Sequence, residues 1–131
     1  MDAFDANMLI YAATGNPLGR DVARLIGGSG SLVPAIGSVI LITEVFGRAA
    51  DVVDAIEEQR LVEILGNLQL KGVDRDTAEL AATMRSKYRL RTPDAIHLAT
   101  AVCWGADRFH TNNSKDFDRY FDEIEIVLPQ D

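Results

Sequence analysis

Hydrophobic and polar positions along the chain change period several times, and each change marks an element. The opening segment, DAFDANMLIYAA, reads as a short strand reaching Asp5 followed at once by an apolar helical turn. In PLGRDVARLIG, residues 17 to 27, Val22, Leu25 and Ile26 fall at helical spacing; Pro17 suits a first turn and Gly27 a C-terminal cap. A brief apolar strand, SLVPA, is expected next. From Gly37 to about Ala50 the chain is largely apolar and too long for one strand, so a buried helix is expected, with Glu44 its only acid. A second helix is expected over Ala50 to Gln59, after which LVEIL leads into GNLQLKGV, read as a short strand. An acid-rich start at Asp74 opens a helix reaching about Tyr88. Thr92, Pro93 and Asp94 stand in the order of an N-cap, a first-turn proline and a first-turn acid. They open a helix through Trp104 that turns Ala95, Leu98, Ala99 and Val102 inward and stops at Gly105. A strand around Arg108 to Thr111, a turn or short helix at Lys115 to Tyr120 and a terminal strand EIEIVL complete the pattern. Strands alternating with helices specify the α/β class, with about four to five short parallel strands and helices on both faces. Without repeats or a linker-like tract, a single domain over residues 1–131 is expected.

Composition narrows the class. With 47% hydrophobic and 25% charged residues and a mean hydropathy of +0.02, the chain has the make-up of a folded globular domain rather than a disordered one. No apolar run approaches the roughly 18 residues of a membrane span, and the first residues carry acids where a secretion signal carries lysine or arginine. A cytoplasmic protein without a membrane partner is expected. The lone Cys103, set in ATAVCWGA, is expected to be a small buried hydrophobe. A net charge of −7 runs against the basic face usual in nucleic-acid binders. Clustered carboxylates would contribute to that charge, and a bound divalent cation would offset it locally.

Four acids stand where an open α/β sheet collects ligands, at strand C-termini and helix starts. Asp5 and Asp116 fit that placement directly, Asp94 lies in a helix's first turn, and Glu44 is expected to project from an apolar helix toward the same edge. Carboxylates within about 4–6 Å raise one another's pKa unless a proton or cation intervenes. An oxygen-only donor set suits magnesium or manganese, and such an ion activates water for phosphodiester hydrolysis. Each acid also has an ordinary explanation. Asp94 stabilises its helix dipole by about 0.3–1 kcal/mol without any metal, and Asp116 in KDFDRYF caps a turn equally well. Glu44 within VILITEVF is harder to dismiss, because a buried acid needs a partner, an ion or water.

The densest basic segment, RSKYRLR, places Arg85, Lys87, Arg89 and Arg91 just before Asp94. These cations either guide an RNA backbone, with Tyr88 as a stacking face, or simply complement a helix C-terminus. His97, one turn beyond Asp94, is expected to be a hydrogen-bonded packing residue, and His110 likewise. With only two histidines and no His/Cys ligand cluster, a zinc site is not expected. Gly27, Gly28 and Gly30 have neither phosphate-loop nor Rossmann spacing.

At these same four acids the chain resembles the PIN-domain family, particularly its VapC-type toxin ribonucleases, over nearly its whole length. FDANMLIYAATGNP is similar to the family's opening strand, with its acid at Asp5 and a small polar partner at Asn7. The apolar helix carries Glu44, TPDAIHLATA is similar to the third-acid helix at Asp94, and TNNSKDF resembles the closing motif with Thr111, Asn113 and Asp116. The resemblance implies a PIN-like three-layer sandwich and a magnesium- or manganese-dependent endoribonuclease in which the four acids bind metal. Asn7, Thr111 or Asn113 would then orient water or phosphate. It further implies a homodimer and, for a toxin of a type II toxin–antitoxin pair, a small antitoxin that blocks the site; the lack of an appended domain favours the toxin. Alternatives are a stand-alone RNA-processing PIN nuclease and a non-catalytic dimerisation or scaffold domain. A phosphatase using an aspartate nucleophile fits poorly, because Asn7 stands where its second acid belongs and only Lys115 is a candidate for the lysine needed near the last helix.

Overall fold

The computed structural model describes residues 1–27, 35–48, 51, 54–117 and 121–129. Five short strands, β1 (Asp2–Phe4), β2 (Ala35–Ser38), β3 (Leu68–Lys71), β4 (Arg108–His110) and β5 (Glu125–Val127), pair in parallel in the order β3-β2-β1-β4-β5. Side chains alternate across each strand, so neighbours in register share a face. Ala3 lies beside Ile36 and Phe109, and Phe109 beside Ile126. All four face helices α5 (Arg75–Tyr88) and α6 (Thr92–Cys103), which contribute Ala81, Met84, Ala95, Leu98 and Ala99 to the same core. Phe4, Ala35 and Leu68 belong to a second core. That one is closed by α1 (Ala6–Thr14), α2 (Arg20–Gly27), α3 (Ile40–Phe46) and α4 (Ala55–Gly66) through Leu9, Val22, Leu41, Val45 and Leu61. The outcome is the three-layer α/β sandwich that the alternating elements predict. Two apolar faces on one sheet are what drive it, each large buried side chain contributing about 1.5–3 kcal/mol.

Several boundaries depart from the sequence expectation. Gly37 and Ser38 belong to β2, and the apolar helix begins only at Ile40. A Cβ on Gly37 would collide with the Leu41 side chain, so glycine lets α3 fold back tightly against the strand it leaves. The helix expected over Ala50 to Gln59 starts at Ala55, capped by Asp54, and continues through LVEIL to Gly66, because Leu61 and Leu65 are buried one turn apart. Pro17–Gly19 forms a 3-10 turn before α2, with Asn16 accepting from the Leu18 N–H. Thr92 is the first residue of α6 rather than its cap; Arg91 holds the cap position and makes no side-chain cap bond. Cys103 is exposed, since the last turn of α6 runs out past the core. Of the expected strand SLVPA only Ala35 is described, and Gly28, Gly30, Ala50 and Tyr120 lie outside the described residues.

Candidate functional site

In the strand order β3-β2-β1-β4-β5 the chain leaves β1 toward one side and returns at β4 on the other, so the β1/β4 boundary is the switch point where an open α/β sheet has its crevice. Asp5 follows β1 there and Thr111 follows β4. The Asp5 N–H donates to the His110 carbonyl at 3.1 Å, and Thr111 Oγ1 donates to Asp5 Oδ2. The other Asp5 oxygen accepts from the Met8 N–H at 3.1 Å, which makes Asp5 the N-cap of α1. Burial pushes the Asp5 carboxyl above the ordinary carboxylate range. The Thr111 and Met8 hydrogen bonds oppose that rise without cancelling it, and the negative charge of Asp94 adds to it.

Asp94 is also buried, in the first turn of α6, where it accepts from Arg91 Nε at 3.2 Å. Arg91 is 71% exposed, so this pair is a rim contact. Its guanidinium is held above its usual range by Asp94 first, and by the charges of Asp116 and Glu44 as well. One cation thus feels three acids from three separate segments, as Asp5 feels Asp94. Glu44, 33% exposed on α3, accepts from His97 Nε2. Asp116 closes a reciprocal turn with Asn113: Asn113 Nδ2 donates to Asp116 Oδ2 at 2.9 Å, and the Asp116 N–H donates to Asn113 Oδ1 at 3.2 Å. The Asn113 N–H in turn donates to Thr111 Oγ1 at 3.1 Å, linking the turn back to Asp5. Asn7 lies exposed in the first turn of α1.

Asp94, Asp116 and Glu44 therefore lie within the field of Arg91, and Asp94 within that of Asp5. Among the described residues, however, no three acid, histidine or cysteine side chains converge closely enough to form a ready coordination shell. Each acid is instead engaged by a partner within the chain: Thr111, Arg91, His97 or Asn113. Like charges brought toward one another in this way repel. Their all-oxygen donor set and the raised Asp5 carboxyl fit a hard divalent cation, which would relieve that repulsion.

The basic segment divides into distinct roles. Lys87 donates to Glu123 at 3.1 Å, and Tyr88 donates to the same carboxylate at 2.6 Å while its ring packs on Phe121 at 4.0 Å. Both are spent on tying α5 to the chain's last segment, so Tyr88 is no free stacking platform. Arg91 is docked on Asp94. Arg85 and Arg89 remain on an open concavity of about 520 Å³, shared with Ala82, Ser86 and Leu90, at the end of α5. Arg89 closes that helix in the left-handed conformation, φ 56°, at a cost of roughly 1–2 kcal/mol for a residue with a Cβ.

Sequence inspection misses two contacts, Arg91 on Asp94 and His97 on Glu44. The spacing of three residues offered a signal for the first, since positions three apart share a helix face; the second spans 53 residues and leaves no local trace. His110 is buried and hydrogen-bonded as expected, but to Asp2, a buried acid absent from the predicted set.

The sequence profile of the PIN domain matches residues 3–122. No curated protein matches the chain. Among solved structures, a toxin–antitoxin complex from Klebsiella pneumoniae contains a chain 28% identical, covering 99% of this chain and 98% of its own, with a TM-score of 0.76. VapBC2 from Rickettsia felis, bound to a DNA fragment from its promoter, is 16% identical over 98% of each chain, with a TM-score of 0.73. DNA-bound VapBC from Salmonella typhimurium is 20% identical over 97% of this chain and 96% of that one, with a TM-score of 0.65. At those two identities the likeness bears on the fold alone.

Proposed function

The chain belongs to the PIN domain family, and from that premise we propose that it is a metal-dependent endoribonuclease, the toxin of a type II toxin–antitoxin pair. The observation carrying this proposal is the acid edge, where Asp5 and Asp94 are buried within each other's field and Arg91 senses Asp94, Asp116 and Glu44 together. Buried acids left in mutual repulsion are a feature of functional sites rather than of stable cores. A bound magnesium or manganese ion would supply an activated water and compensate charge at the phosphodiester.

Within that chemistry the chain's residues have separate tasks. Asp5, Glu44, Asp94 and Asp116 would hold the cation. Thr111 fixes the Asp5 rotamer through its hydroxyl, and Asn113 holds Asp116. Asn7 stands at the start of α1, where free backbone N–H groups and the helix dipole favour an approaching phosphate. Arg85 and Arg89 are placed to follow the RNA backbone away from the acids. Arg91, exposed at the rim, would be free to leave Asp94 to a bound cation.

The protein acts in the cytoplasm as a homodimer and is held silent by a cognate antitoxin. The Klebsiella toxin–antitoxin relative, similar over nearly the full length of both chains, supports that partner. In the test, purified partner-free protein is incubated with cellular RNA plus manganese, magnesium or chelator, with Asp5→Asn alongside. Metal-dependent cutting lost in the variant is expected; folded wild-type protein inert with both metals defeats the nuclease assignment and leaves the scaffold role.

A further inference from the structure

We propose that His97 is the positioning residue of Glu44, its Nε2–H holding one carboxylate oxygen so that the other is presented to the divalent cation. The inference rests on the metal-dependent site proposed above and assigns a residue outside its four acids. His97 sits on α6 one turn after Asp94, with a side chain only 1% exposed. Glu44 reaches it from α3. The two helices belong to different cores, on opposite faces of the sheet, so this contact joins the layers over the edge where the acids gather.

Of the four acids, Glu44 is the one that needs such a holder. The three aspartates are short, and Asp5 is locked by the Met8 backbone N–H and Asp116 by the side-chain amide of Asn113. Glutamate has one more torsion, and ordering it opposes up to about 1.5–2 kcal/mol of side-chain entropy. The rest of α3 gives it no help, since Leu41 and Val45 point into the core while Glu44 stays 33% exposed. The imidazole is rigid and packed, hence a fixed donor.

The ring also records which nitrogen is used. Nδ1 is buried with no hydrogen-bond partner among the described residues, whereas Nε2 faces the carboxylate. A proton on Nδ1 would be desolvated without an acceptor, so the ring proton belongs on Nε2. An apolar packing role would need neither the polar edge nor its direction.

Manganese affinity, measured by calorimetry on the purified, partner-free full chain without RNA, tests the assignment. His97→Leu is expected to weaken binding by about 10–100-fold, the range for residues that orient metal ligands. His97→Gln, whose amide nitrogen replaces Nε2, is expected to restore most of the affinity. In a Glu44→Gln background His97→Leu should add no further loss, since the two changes break one interaction. Wild-type affinity in His97→Leu, equal loss in the Leu and Gln variants, or full additivity with Glu44→Gln overturns the role of His97 while the metal site stands. Absence of manganese binding by the wild type overturns both. Should His97→Leu fail to fold, nitrogen NMR of the wild-type ring decides: a proton on Nε2 is expected, and one on Nδ1 overturns the proposal.

Discussion

Asp2 and Asp5 lie three residues apart at the two ends of β1, and both are buried, yet their charges have opposite fates. Asp2 receives Arg108 Nε at 2.8 Å and Nη2 at 3.3 Å, together with His110 Nε2 at 3.0 Å. Burial alone would push its carboxyl up, but the His110 and Arg108 bonds and charges outweigh that and hold it below the ordinary range. Asp5 meets a hydroxyl and a backbone amide instead, with another acid nearby, and its carboxyl is raised. Burial of an acid is therefore no mark of function by itself. The mark is charge that the surrounding fold leaves uncompensated, and only the Asp5 end of the strand has it.

The contrast can be broken from either end. Asp5→Asn should reduce metal-dependent RNA cleavage by more than the about 100-fold typical of outer-shell residues. The melting temperature should hold, because asparagine caps α1 as well as aspartate; a variant that still cuts would remove Asp5 from the site. Asp2→Asn should do the reverse. It strands His110 and Arg108, and with Arg108 44% exposed and partly hydrated the loss should be about 1–3 kcal/mol by urea titration, with cleavage per folded molecule unchanged.

A smaller effect is the pH response of the Asp2 end. Burial holds His110 below the ordinary imidazole value of 6.5, against the pull of Asp2. The folded protein then binds fewer protons than the unfolded chain, so stability is full above 6.5 and declines as pH falls through it toward the folded value. Each unit of difference corresponds to about 1.4 kcal/mol. Urea midpoints on either side of 6.5 should differ in wild type and converge in His110→Gln; an unchanged slope would place the acid sensitivity elsewhere. The smallest expected effect is at the rim, where Arg85→Ala with Arg89→Ala should flatten the salt dependence of RNA binding by about 0.7 in log–log slope per lost phosphate contact. If the slope stays, the concavity at the end of α5 does not carry RNA.

Much of this was legible in the sequence because it is local. Asp5 is betrayed by a short strand-like segment, DAF, giving way to helical spacing, and Asp94 by the proline beside it. Where two periods overlap, legibility fails. Gly37 and Ser38 are too small to show a strand's alternation, so the end of β2 merged with α3, and LVEIL has strand-like composition but continues α4 because its leucines meet the core. Cys103 was misplaced because an apolar neighbourhood in sequence continued past the point where α6 leaves the core. The engagements of Asp2 by Arg108 and Glu44 by His97 span 106 and 53 residues, beyond any window of periodicity. Arg91 appeared as one of four equivalent cations, and only three-dimensional placement separates it from Lys87 and Arg85.

The bond from Thr111 to Asp5 has a consequence in time. It closes a loop of 106 residues, as do the pairing of β1 with β4 and the ion pair of Arg108 with Asp2. A nascent chain emerging from the ribosome holds Asp5 and its Met8 cap bond from the outset, yet lacks the Thr111 hydroxyl and the neighbouring strand until β4 has been made. The acid edge is thus among the last features to assemble, and a chain broken off before Thr111 carries most of its acids but no crevice between them.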